Sequence, residues 1–87
     1  MKELLLAAGR EIQQRGWIQG RSLSPDGRVC AIGALVRADR PITGDYMLAE
    51  LFMERVVGQC LWRWNDQSGR TKEEVLAAFA TAIESLS

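Results

Sequence analysis

No histidine occurs among the 87 residues. That absence removes a self-contained Ser-His-Asp or Cys-His catalytic set and the usual histidine-bearing metal constellations. Cysteine is scarce too: Cys30 and Cys60 stand far apart and form no CxxC pair. Two separated thiols are a weak metal signal, so no metal ligands are assigned, and they read as reduced cysteines of a cytoplasmic protein. No apolar run approaches the roughly 18 residues that suggest a membrane span. Leu4-Leu5-Leu6-Ala7-Ala8 is too short for a secretory leader and gives way at once to Arg10 and Glu11. Neither a P-loop nor a dinucleotide-binding glycine fingerprint is present, so no cofactor is expected. Excess charge is also missing, with eleven basic and eleven acidic side chains. Nucleic-acid binding draws most of its affinity from phosphate contacts, and a balanced chain offers little beyond a local patch. Arg15, Arg21 and Arg28, in a mildly basic first third, are the residues for that alternative.

What remains is an apolar fraction of 47%, enough for a modest core. A chain of this length buries about 60–65% of its unfolded surface, and one globular domain over residues 1–87 is expected. Leu4, Leu5, Ala8 and Ile12 recur at helical spacing over residues 2–15, and Gly16 suits a left-handed stop. Trp17 and Ile18 read as a return into the core, ahead of a Ser24-Pro25-Asp26-Gly27 turn. Val29 to about Ala38 reads as a second helix with a surface of small residues. Gly33 costs such a helix about 1 kcal/mol, which close packing against another backbone explains. Cys30 in this segment reads as a buried helix contact rather than a nucleophile.

Asp45 can cap a third helix starting near Tyr46, with Leu48, Leu51, Phe52 and Val56 as its inward stripe. Val57, Cys60, Leu61 and Trp64 continue a helical face beyond Gly58, compatible with one bent helix or two short ones. The last helix is the most plainly written. Thr71 and Glu74 form a capping box, and Val75, Leu76, Phe79, Ala82, Ile83 and Leu86 share one face. It should pack against residues 48–64, with the glycine-bearing helix near the centre.

The densest chemistry lies in Trp62-Arg63-Trp64-Asn65-Asp66 and the turn that follows it. Two residues of separation turn Trp62 and Trp64 toward different helix faces. Trp64 continues the Leu61 face and reads as structural, leaving Trp62 as the exposed anchor. Aromatic and arginine side chains dominate protein interfaces, so Trp62, Arg63, Asp66 and Arg70 are the candidate interaction residues. Asn65-Asp66 are expected to fasten the chain entering the last helix. Ser68, Arg70 and Thr71 offer an anion site at that helix start, against the simpler reading that Thr71 and Glu74 cap one another. Aspartates 26, 39, 45 and 66 fall beside turns and helix starts, ordinary capping places, so no catalytic residue is assigned.

The order Gly16-Trp17-Ile18-Gln19-Gly20, then Cys30-Ala31-Ile32-Gly33-Ala34-Leu35, then Trp64-Asn65-Asp66 and Arg70-Thr71-Lys72-Glu73-Glu74-Val75 resembles an uncharacterised family of small actinobacterial and actinobacteriophage proteins. The resemblance spans most of the chain and implies a phage or actinobacterial context, with no activity attached. Cys60 and Trp62 lie outside its motifs. The expectation is therefore an all-α bundle of four or five short helices, with a minor β-hairpin admitted at residues 17–29. Its expected role is a noncatalytic protein-interaction module, regulatory or phage-associated, with an unidentified protein partner and homo-oligomer formation left open. A nucleic-acid-binding protein and a small-ligand-binding protein are the alternatives.

Overall fold

The computed structural model describes residues 1–87 and contains five helices. Helix α1 spans Lys2–Arg15, α2 Ala31–Ala38, α3 Asp45–Val57, α4 Leu61–Asp66 and α5 Lys72–Ser85. None is long and apolar enough to cross a membrane. One cluster of 15 buried residues joins them, drawing on every helix. Helix α2 lies against α1, α3 and α4, and α5 lies against α1 and α3. The glycine-bearing helix thus touches three of the other helices, while α3 touches all four and shares the centre with it.

In α1, Leu5, Ala8 and Ile12 are the buried stripe, with Leu4 half-buried beside it. Gly16 ends the helix at φ 94°, its N–H bonded to the Ile12 carbonyl, but its ψ of 169° is extended rather than left-handed helical. The chain leaves sideways into a loop instead of coiling back. No hairpin follows. Val29 alone pairs with Trp17 in a parallel bridge and with Leu23 in an antiparallel one, and neither pairing extends into a strand.

Those bridges also explain why α2 starts two residues later than its pattern suggests. The Val29 N–H donates to the Gly16 carbonyl (3.0 Å), and the Val29 carbonyl accepts from the Ile18 N–H (3.1 Å). Val29 is thus committed to the preceding loop, and Cys30 takes the N-cap position. Its Sγ accepts from the Gly33 N–H at 3.3 Å, an ordinary capping task for a thiol that is 5% exposed. Cys30 and Cys60 are both free.

Helix α3 departs most from its sequence reading. Ala49 and Met53 are its fully buried residues, with Phe52 and Val56 half-buried, while Leu48 and Leu51 are 60% and 59% exposed. Residues 49, 52, 53 and 56 form one helical stripe and 48, 51 and 55 its neighbour, so both fit a period of 3.6 residues. The larger leucines mark the outer stripe. Asp45 is the first helical residue rather than the cap, which is Gly44 at φ 94°. Capping comes from upstream. The buried Asp39 carboxylate accepts from the Thr43 hydroxyl (2.8 Å) and from the N–H groups of Thr43, Gly44 (3.0 Å) and Tyr46 (3.3 Å).

Gly58, left-handed at φ 80°, stops α3, and residues 58–60 separate it from α4. Two short helices result, and the Glu54 carboxylate of the first accepts from the Leu61 N–H of the second at 2.8 Å. Helix α5 opens with the expected capping box between Thr71 and Glu74 and buries Val75, Ala78, Phe79 and Ala82. Leu76 and Ile83 flank that face half-buried, and Leu86 lies exposed at the helix end.

Candidate functional site

Asn65, on the six-residue α4, is completely buried and uses its whole amide. Its Oδ1 accepts from the Trp17 indole N–H (2.7 Å) and from the backbone N–H of Ala31 (3.0 Å). Its Nδ2 donates to the Ile18 carbonyl (3.2 Å) and to Asp66 Oδ1 (2.9 Å). Two donors meet the oxygen and two acceptors meet the nitrogen, so the network fixes the amide orientation. Asp66 Oδ1 also accepts from the Gly20 N–H at 2.9 Å. Gln19 completes the clamp by donating to the carbonyls of Asn65 (3.0 Å) and Gln67 (2.9 Å). Asn65 and Asp66 therefore fasten residues 17–20 and the start of α2, not the chain entering α5 as the sequence suggested. A polar side chain reaching more than 40 residues back along the chain leaves no periodic trace.

The chain entering α5 is held by Arg70 instead. Its Nε donates to the Trp64 carbonyl (2.9 Å), one terminal nitrogen donates to Gln67 Oε1 (2.7 Å), and the guanidinium lies 4.1 Å from the Trp64 ring centroid. The other terminal nitrogen reaches Glu74 at 3.4 Å. Arg70 thus has its donors engaged within the chain, and Trp64 is 8% exposed beneath it. At the helix start, Thr71 Oγ1 accepts from the Glu74 N–H (3.2 Å), while the Glu74 carboxylate accepts from the Thr71 N–H (2.9 Å). That carboxylate occupies the place an external anion would take. Ser68 is exposed.

Trp62 has no such internal employment. It is 51% exposed, with the Arg63 guanidinium 5.4 Å from its ring centroid. With Gly20, Arg21, Ser22, Cys30, Ile32 and Asp66 it lines a cleft of about 190 Å³. Two of the four interaction candidates, Trp62 and Asp66, line this cleft; Arg63 lies against the Trp62 ring outside the lining, and Arg70 stands apart. Asp66 Oδ2 has no hydrogen-bond partner within the chain, in contrast to Oδ1. The cleft offers an aromatic wall, a cation at Arg21 and a carboxylate oxygen at Asp66. Its volume suits a side chain and falls below the roughly 300 Å³ at which small-molecule pockets begin. A wider groove of about 400 Å³ runs between α3 and α5 past Val56, Val57, Ala77 and Ala78, but its charged groups, Arg70 and Glu74, already pair with each other.

The basic trio is divided. Arg15 pairs with Glu11 (2.6 Å) and Arg28 with Asp26 (3.1 Å), whereas Arg21 belongs to the Trp62 cleft and has no ion pair. Arg21 was legible only as a member of the basic trio, and the Cys30 and Ile32 walls were not legible as site residues, because loop folding alone brings them to Trp62.

The Ser24–Arg28 turn that shapes this loop has an acid-sensitive lock. Asp26 accepts from the Ser24 hydroxyl and from the Arg28 guanidinium, and these bonds hold its pKa down at about 2, against 3.8 ordinarily. A depressed carboxylate stabilises the fold above its unfolded pKa, and that contribution is lost as pH falls toward the folded one. Asp39 shifts the same way: burial pushes its carboxyl up, but the Thr43 hydroxyl and the N–H groups of Tyr46, Thr43 and Gly44 outweigh it. Asp26→Asn is therefore expected to lower the melting temperature at neutral pH and to flatten its fall between about pH 4 and pH 2. Differential scanning calorimetry across that range checks both parts.

A five-helix all-α bundle, its front loop stapled by a buried asparagine and its surface cleft walled by a tryptophan, is the class these features define. A family model described as a family of unknown function (DUF6197) matches residues 1–85, and the chain belongs to that family. No curated protein and no solved structure matches the chain.

Proposed function

We propose that the protein is a noncatalytic interaction module that receives a side chain of a partner protein in the Trp62 cleft. The observation that carries this reading is the position of Trp62: half-exposed and attached to a rigid hydrogen-bonded frame that does not need it. A tryptophan has only two side-chain torsions to lose on contact, which is one reason such residues dominate interface energetics. Arg21 and Asp66 give the cleft a cation and an acceptor to orient the entering group. The resemblance of the motifs supports a phage or actinobacterial setting and attaches no activity to it. Pairing of Arg15 and Arg28 with carboxylates leaves the nucleic-acid reading with less support.

Tagged protein is to be captured from native host lysate with and without nuclease, beside Trp62→Ala. The expected outcome is a nuclease-resistant protein partner whose affinity for Trp62→Ala is weaker by about 30-fold, the scale of a 2 kcal/mol anchor. The variant should keep its melting temperature within a few degrees, because the ring is half in water. Enrichment of nucleic acid alone, or loss of the fold in the variant, contradicts the proposal.

A further inference from the structure

The outer stripe of α3 has no use within the chain. Met47, Leu48 and Leu51 are 55%, 60% and 59% exposed, and Met1, which lines a depression with Leu4, Asp45 and Leu48, is 51% exposed. Isolated exposed hydrophobics are ordinary, but large ones on adjoining helical positions mark a contact surface. The stripe is also framed by charge. Asp45, Leu48, Leu51 and Arg55 follow at spacings of three, three and four residues, and all four are exposed. Neither Asp45 nor Arg55 makes an ion pair within the chain, although three such pairs form elsewhere.

An acid at one end, a base at the other and leucines between them make a face that is complementary to itself when reversed. We infer that α3 pairs antiparallel with α3 of a second copy of this chain, with Asp45 of each copy against Arg55 of the other. A two-fold axis near residue 50 produces both charge contacts at once and sets Leu48 of one copy beside Leu51 of its mate. Such an isologous contact closes at two copies and uses the same patch twice. Antiparallel pairing also brings the positive end of each helix to the negative end of the other. A patch of so few side chains falls at the small end of specific interfaces, which is below about 1,200 Å². The dimer is therefore weak, with dissociation constants in the micromolar range or above. It involves none of the residues of the Trp62 cleft, so either proposal can fail alone.

Sedimentation equilibrium of the full chain between 10 µM and 1 mM, on the order of the range a weak interface requires, tests the pairing. The wild type should pass from one chain toward two. Leu51→Glu should stay monomeric with an unchanged helical spectrum, since residue 51 faces water. Asp45→Lys and Arg55→Glu should each weaken the dimer about tenfold or more, because each sets like charges together at both ends. Mixing these two variants should restore association, since every contact in the mixed pair is again between opposite charges. A wild type that stays monomeric to 1 mM overturns the inference. So does a dimer indifferent to Leu51→Glu, or one that mixing fails to restore.

Discussion

Asn65→Ala is expected to lower the stability of the fold by about 3–5 kcal/mol, the largest effect of any single polar truncation in the chain. Removing the amide leaves the Trp17 indole N–H, the Ala31 N–H and the Ile18 carbonyl without partners. The buried Ala31 N–H costs about 1–3 kcal/mol when orphaned, the part-buried Trp17 and Ile18 groups add smaller amounts, and the truncation leaves a void as well. A domain of this length has roughly 4–13 kcal/mol in total, so the variant should be partly unfolded or close to it at 25 °C. Urea unfolding followed by circular dichroism measures the loss. Asn65→Asp offers an internal control. It keeps both acceptor contacts but, when ionised, replaces a donor with an oxygen facing the Ile18 carbonyl and Asp66 Oδ1. Protonation returns a donor, so the deficit of this variant should shrink as the solution is acidified from neutrality. A stability loss below about 1 kcal/mol in Asn65→Ala, the scale of one exposed hydrogen bond, would contradict the staple.

Gly33→Ala is the second large effect, of about 3 kcal/mol destabilising, at a position where helix propensity alone argues for a gain of about 1 kcal/mol. A Cβ on residue 33 would stand 2.0 Å from the Ser22 carbonyl oxygen and 2.9 Å from its carbon. Both are backbone atoms, so the loop must move. Ser22 also accepts from the Cys30 N–H at 3.2 Å, and displacing it strips the start of α2 of that bond. Gly9 in α1 isolates the cause, because its Cβ would meet nothing within 4 Å. Gly9→Ala should stabilise by about 0.5–1 kcal/mol. Identical substitutions with opposite signs in the same denaturation series would assign the Gly33 effect to contact with Ser22. A neutral Gly33→Ala would remove that assignment.

These cases divide what the chain discloses in one dimension from what it does not. Helices α1 and α5 were legible because their apolar spacing agrees with Gly16 in one and the Thr71–Glu74 cap in the other. The need for close approach at Gly33 was legible too, since glycine inside a helix calls for a reason. The period also separated Trp64 from Trp62 before any coordinates did. Helix α3 was misoriented because two adjoining stripes satisfy the same period, and Leu48 and Leu51 outweigh Ala49 in any hydrophobic reading. The helix is turned so that the small Ala49, with Met53, is the fully buried face and the leucines lie outside. The Asn65 network was hidden for a different reason. Its partners at residues 17–20 and 31 are joined by loop geometry, and a buried asparagine looks like a surface one until its four bonds are seen. Arg70 illustrates the same point, since its guanidinium serves Trp64, Gln67 and Glu74 rather than facing outward.

Labour is divided within one short segment. Trp64, Asn65 and Asp66 hold the frame, and Trp62 stands half-exposed on it, where we propose that it meets a partner. The three indole N–H signals in an amide-proton NMR spectrum test this most directly, recorded before and after addition of the captured partner. Trp17, bonded to Asn65, should exchange slowly with solvent and hold its position, while Trp62 should exchange fast and be the indole that shifts. A Trp62 signal that is protected in the free protein, or that stays in place while the Trp17 or Trp64 signal moves, would contradict the account.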